Sequence, residues 1–131
     1  MDNTMALLLS DTYKQCHDRM YPKGLTKLVS YWVPRKSMLE NQNEMVFFGL
    51  QAFIKEYLMG YFQKNFFDLS EDEMLTLYTD SMDVQIGRDN YDLDKIVELH
   101  RLGYLPLEIR ALPEGTLVPM GVPCIEITNT D

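Results

Sequence analysis

Leu105-Pro106-Leu107-Glu108-Ile109-Arg110-Ala111 leads into Pro113-Glu114-Gly115, Thr116-Leu117-Val118, Pro119-Met120-Gly121 and Cys124-Ile125-Glu126-Ile127-Thr128. Leu105, Leu107, Ile109 and Ala111 alternate with Pro106, Glu108 and Arg110, the period of a strand with one buried face. The two Pro-x-Gly triplets have the chemistry of tight turns, with proline expected at the second turn position and glycine at the fourth. The β-rich runs between and after them complete a compact β-meander over about 105–128. The chain before it is largely of helical period, so this change decides the fold class: α+β.

Working outward, Lys27 to Val33 is rich in β-branched and aromatic residues and reads as a strand that Pro34 stops. An antiparallel sheet is therefore expected from this first strand, about 27–33, plus the C-terminal meander, with three to four helices packed against it. Residues 36–43 are polar and aperiodic, a loop. Glu44 to Met59 reads as a helix: Val46, Leu50, Phe53 and Tyr57 share one face, Phe47, Ile54 and Leu58 widen it, and Gly60 ends it. A stripe this broad implies burial on more than one side and, in the isolated chain, self-association or poor solubility.

Ser70 and Glu73 have capping-box spacing, and Leu69 and Met74 staple spacing, so another helix starts there and should run to about Asp80. A polar break over 81–90 precedes a helix from about Tyr91 to Leu102, with Leu93, Ile96, Val97 and His100 on one face and Gly103 at its end. Nearer the start, residues 5–9 fit a short strand or a helical turn equally well. Ser10 or Asp11 is placed to cap a helix through Tyr13 and His17, which stops near Pro22 and Gly24.

The sequence has 131 residues, 46% of them hydrophobic and 24% charged, which suits one globular domain spanning 1–131. A formal charge of −8 argues against broad nucleic-acid binding and against docking on anionic membranes. No apolar run approaches the roughly 20 residues of a membrane span. Asp2, rather than a basic flank, precedes the apolar residues 6–9, so a signal peptide is not expected. Cys16 and Cys124 lack metal spacing and read as free thiols of a reducing compartment, the cytoplasm.

No metal set is expected, since His17 and His100 lie on separate segments without a second ligand at helical spacing. Gly49, Gly60 and Gly103 are isolated, so there is no phosphate-cradling glycine loop. Cys16 and His17 are adjacent and point apart on a helix. Three positions carry candidate chemistry. Asp11 is on base rates an N-cap and otherwise a ligand-facing carboxylate. Tyr13 is a packing residue or a ring offered to a planar ligand. Arg35, beside Lys36 past a strand end, is a solvated turn residue or a two-pronged phosphate ligand.

Taken in order, the motifs resemble the nicotinamide phosphoribosyltransferase family over nearly the whole chain. Ser10-Asp11-Thr12-Tyr13-Lys14 with His17 and Tyr21-Pro22 is similar to its N-terminal signature, and Ser30-Tyr31-Trp32 with Arg35 to its first strand. Val46-Phe47-Phe48-Gly49-Leu50-Gln51, Tyr57-Leu58 and Gly60 resemble its long helix. The block from Leu105 to Gly121 and the closing Thr128-Asn129-Thr130-Asp131 are similar as well. Residues 61–90 match only as helical filler.

The resemblance implies an enzyme that joins nicotinamide to phosphoribosyl pyrophosphate, giving nicotinamide mononucleotide and pyrophosphate in NAD salvage, with Mg²⁺ and ATP coupling. It implies a homodimer with active sites at the subunit boundary. Tyr13 would stack on nicotinamide in trans, Asp11 would lie on the pocket side, and Arg35 would reach the phosphates or pyrophosphate. Family members are several times longer, and their catalytic barrel has no counterpart among these residues. The chain is thus expected to be the family's N-terminal domain, to hold no catalytic residue, to bind no cofactor alone and to turn over no substrate alone. Two other readings are a nicotinate phosphoribosyltransferase fragment and a non-catalytic dimerisation or binding module of the same fold.

Overall fold

The computed structural model describes residues 4–131; Asp2, used above to read the N-terminal apolar run, lies outside the described residues. The chain forms two compact units interleaved in sequence. One comprises the residues up to Lys23 with Phe53–Leu105, the other Gly24–Ala52 with Pro106–Asp131.

The first unit is helical. Two 3-10 helices, Ala6–Leu9 and Thr12–Met20, open it, which settles residues 5–9 as a helical turn. Helix α1, Leu50–Phe53, begins in the second unit and passes into wider π-type winding over Ile54–Tyr61 and Gln63–Phe67. Asp68 N–H donates to the Gln63 carbonyl at 2.8 Å, five residues back. The helix expected at 44–59 therefore starts later and does not stop at Gly60. A glycine ends a helix when it turns left-handed; Gly60 stays in the helix, and a Cβ there would meet the Lys55 carbonyl oxygen at 3.1 Å.

Helix α2, Glu71–Gln85, starts as expected: Glu73 N–H donates to the Ser70 hydroxyl at 3.3 Å, and Ser70 N–H donates to the Glu73 carboxylate at 3.0 Å. It runs past Asp80 because Met74, Tyr78 and Met82 continue one fully buried row at four-residue spacing. Helix α3, Asp94–Leu102, is ended by left-handed Gly103 at φ 79°. Met5, Ala6, Phe66 and the α2 row form the core of this unit, with Ile96, Val97 and Leu99 of α3 against it. His100 donates through Nε2 to the Leu69 carbonyl at 2.9 Å, tying α3 to the residue before the α2 cap.

The second unit holds the strands. β1 (Val29–Trp32) and β3 (Leu107–Ala111) flank β5 (Ile125–Asn129), all antiparallel, with Val29 opposite Thr128 and Ile109 opposite Ile127. The antiparallel sheet of the first strand and the C-terminal strands is thus present, and the fold is α+β. The C-terminal strands do not follow one another as a simple meander. β4 (Leu117–Pro119) leaves the sheet and pairs with β2 (Glu44–Val46), with Met45 opposite Val118. The excursion closes where Leu112 N–H donates to the Cys124 carbonyl at 3.1 Å.

Glu44–Val46, expected as a helix start, is a strand because pairing overrides local propensity. Val46 is 57% exposed, Phe47 is buried and Phe48 is 78% exposed, which is strand alternation rather than a helical stripe. Phe47, Val118 and Cys124 form this unit's core. Both Pro-x-Gly turns close one position later than expected: Thr116 N–H donates to the Pro113 carbonyl and Val122 N–H to the Pro119 carbonyl, each at 3.2 Å. Proline is therefore first, and Gly115 (φ 91°) and Gly121 (φ 87°) are third, the position that needs positive φ in a type II turn.

Candidate functional site

Asp11 and Tyr13 belong to the first unit, on the chain between its two 3-10 helices and just beyond. Buried Met5 and Ala6 anchor the approach. The Ser10 hydroxyl donates back to the Leu7 carbonyl at 3.1 Å, and the Lys14 N–H donates to the Asp11 carbonyl at 2.9 Å, opening the second 3-10 helix. Among the described residues, the Asp11 carboxylate is met not by a backbone N–H but by the Lys14 ammonium at 3.2 Å. The N-cap expectation for Ser10 or Asp11 gives way here to an exposed ion pair and a backward-facing hydroxyl.

Tyr13 is 61% exposed, so its ring is not a core residue. The His17 ring lies 5.2 Å from it, tilted by 57°, and Lys14 Nζ lies 5.7 Å from its centroid. Lys14 thus faces both Asp11 and the Tyr13 ring, a charge and a quadrupole that each attract a cation. Cys16 turns elsewhere, its thiol 3.8 Å from the Asn90 carbonyl. Before this segment, an apolar cleft of about 410 Å³ opens between Leu7, Leu9, Phe53, Tyr57, Tyr61 and Phe62.

The segment is tied to α2. Gln15 Nε2 donates to the Leu7 carbonyl at 2.7 Å and to the Ser10 hydroxyl at 2.6 Å, and its Oε1 accepts from the buried Tyr78 hydroxyl at 3.2 Å. Thr12 donates to the Gln85 carboxamide oxygen at the far end of α2. The Asp11–Lys14 spacing is legible as a local pair. Gln15 carries no such signal, because Tyr78 lies 63 residues away.

Arg35 belongs to the second unit. The backbone before it is pinned: the Trp32 carbonyl accepts from Cys124 N–H at 3.0 Å, and the buried Pro34 carbonyl accepts from Gly121 N–H at 2.7 Å. Arg35 itself is exposed, and none of the ion pairs among the described residues includes it. On β1, which ends before Arg35, Tyr31 stands directly across from Glu126 in register, and that carboxylate pushes the phenol's pKa up. Asp11 and Tyr13 thus share one surface of the first unit, while Arg35 is presented by the second.

Among the described residues no three His, Cys, Asp or Glu side chains converge as metal ligands, so they do not by themselves fit a metal ion. No helix of the described residues is long and apolar enough to cross a membrane.

Residues 5–109 match the family described as nicotinamide phosphoribosyltransferase, N-terminal domain. The chain belongs to the nicotinamide phosphoribosyltransferase family. Asp11, Tyr13 and Arg35 all fall inside the matched residues. A protein of Acinetobacter baylyi named nicotinamide phosphoribosyltransferase is 39% identical over 125 residues, covering 92% of this chain and 25% of the relative. One of the same name from Xanthomonas campestris pv. campestris is 32% identical over 126 residues, 95% of this chain and 24% of the relative. The chain therefore spans about a quarter of the length of these family members.

Proposed function

We propose that this domain supplies one wall of the active site of an enzyme that makes nicotinamide mononucleotide and pyrophosphate from nicotinamide and phosphoribosyl pyrophosphate, in cytoplasmic NAD salvage. In that reaction the pyridine nitrogen forms a bond to the anomeric ribose carbon as the bond from that carbon to the pyrophosphate oxygen breaks. The observation that carries the reading is the exposed Tyr13 ring, held within a segment that the family match covers. A phenol face suits the electron-poor pyridine ring by stacking. Asp11, on the same surface and paired with Lys14, offers a carboxylate acceptor to the amide N–H groups on the pocket side. Arg35 has no carboxylate partner among the described ion pairs, and its planar fork suits pyrophosphate.

These residues bind and orient; the bond-making groups belong to the rest of the enzyme, and a homodimer that offers Tyr13 in trans is part of the proposal. Mg²⁺ would neutralise charge on the pyrophosphate, and ATP coupling would drive the equilibrium, both in the complete enzyme. Two assays test this reading. The purified chain with both substrates and Mg²⁺ should yield no mononucleotide; product formation would overturn the assignment of catalysis to the missing part. Next, this chain replaces the matching quarter of the Acinetobacter baylyi relative, and Tyr13→Ala in that enzyme should raise the KM for nicotinamide. An unchanged KM would remove Tyr13 from the pocket.

A further inference from the structure

We propose that Gln15 is the positioning residue of this wall, the clamp that holds the Asp11–Tyr13 segment in its presented shape; its functional consequence rests on the pocket reading above. A carboxamide has two N–H donors and one carbonyl acceptor. In Gln15 both donors and the acceptor are engaged, and the three partners lie on three different pieces of the first unit. The Leu7 carbonyl belongs to the apolar 3-10 turn seated on the core. The Ser10 hydroxyl is where the chain turns outward. The Tyr78 hydroxyl is the polar tip of a fully buried ring on α2.

The Ser10–Gln15 bond at 2.6 Å spans five residues and closes a loop whose apex carries Asp11 and Tyr13. Within that loop the Lys14 N–H bond to the Asp11 carbonyl is the local rung that sets where both side chains point. A short exposed 3-10 turn has little stability of its own. The geometry of the wall is thus passed from the buried α2 row, through one carboxamide, to two exposed side chains that Gln15 does not touch.

Gln15→Met keeps length and volume and removes all three hydrogen bonds; Tyr78→Phe removes only the phenol donor and serves if the first variant fails to fold. Hydrogen exchange on the 131-residue chain reads the clamp directly. The Lys14 amide should exchange about tenfold faster in Gln15→Met, and less so in Tyr78→Phe, while the Val97 amide in α3 is unchanged. An unchanged Lys14 amide, or equal acceleration at Val97, overturns the proposal.

In the Acinetobacter baylyi enzyme carrying this chain, Gln15→Met should raise the KM for nicotinamide with kcat and the KM for phosphoribosyl pyrophosphate unchanged. If Tyr13→Ala raises that KM and Gln15→Met does not, the positioning role fails alone. If neither raises it, the pocket reading fails, and the exchange result still decides the clamp.

Discussion

Ser70→Ala probes the start of the helix on which the Gln15 and Thr12 tethers depend. The Ser70 side chain accepts from Glu73 N–H at 3.3 Å and donates to the Glu73 carboxylate at 2.7 Å, while that carboxylate also accepts from Ser70 N–H at 3.0 Å. Replacing a serine N-cap by alanine costs about 1 kcal/mol. In a unit of this size that lowers the melting midpoint by roughly 4–8 °C. The hydrogen bonds from Ser70 also hold the Glu73 carboxyl below its usual value of 4.5. A depressed carboxylate pKa contributes stability that is present above the unfolded value and is lost as pH falls through the folded one. The cost of Ser70→Ala should therefore be full at pH 7 and shrink as pH drops below about 4.5, because the partner carboxylate protonates in both proteins. Urea unfolding followed by helical circular dichroism at pH 7, 5, 4 and 3 measures this. A cost that stays constant across that series, or one under about 0.3 kcal/mol at pH 7, refutes the reasoning.

Three further outcomes follow from the packing. Met82→Ala, in the fully buried α2 row, should cost about 3 kcal/mol in equilibrium unfolding, against under about 0.5 kcal/mol for exposed Met38→Ala. An interior helical Gly→Ala change commonly stabilises by about 1 kcal/mol, but Gly60→Ala should bring no rise in midpoint because its Cβ would sit 3.1 Å from the Lys55 backbone oxygen. Burial raises the pKa of Cys124, so a thiol reagent at pH 8 should label half-buried Cys16 first and reach Cys124 only on unfolding; early labelling of Cys124 counts against its buried placement.

Local chemistry made much of this fold legible. Ser70 and Glu73 announce a helix start whose bonds are all within three residues, and Gly103 announces an end by the one backbone conformation it tolerates cheaply. The alternation from Leu107 to Ala111 marks a strand, but not the buried face it announces: Ile109 is half-buried, while Leu107 and Ala111 are exposed. What escaped was decided by distant partners. Val46-Phe47-Phe48 fits a helical stripe and a strand equally well, and only pairing of β2 with β4 selects the strand. Met82 lay unnoticed among polar neighbours, although its spacing from Met74 and Tyr78 continued the buried row. At the site, Asp11, Tyr13 and Arg35 were visible as residue types in a family pattern. Gln15, whose partners are spread over the first unit, looked like any surface glutamine.

The central place of β5 has a consequence for how the protein is made. Leu28 N–H binds the Asn129 side chain 101 residues away, and every rung of β1 and of β3 runs to β5. On a ribosome adding about 5–20 residues per second, β1 waits on the order of 5–20 s for its first neighbour. Throughout that interval Tyr31 and Trp32 stand on an unpaired edge of the kind that templates pairing between chains. Until β5 arrives both edges of β1 are open to nascent copies on one message; β5 then covers one of them, and shortening β5 by a few residues would leave both open.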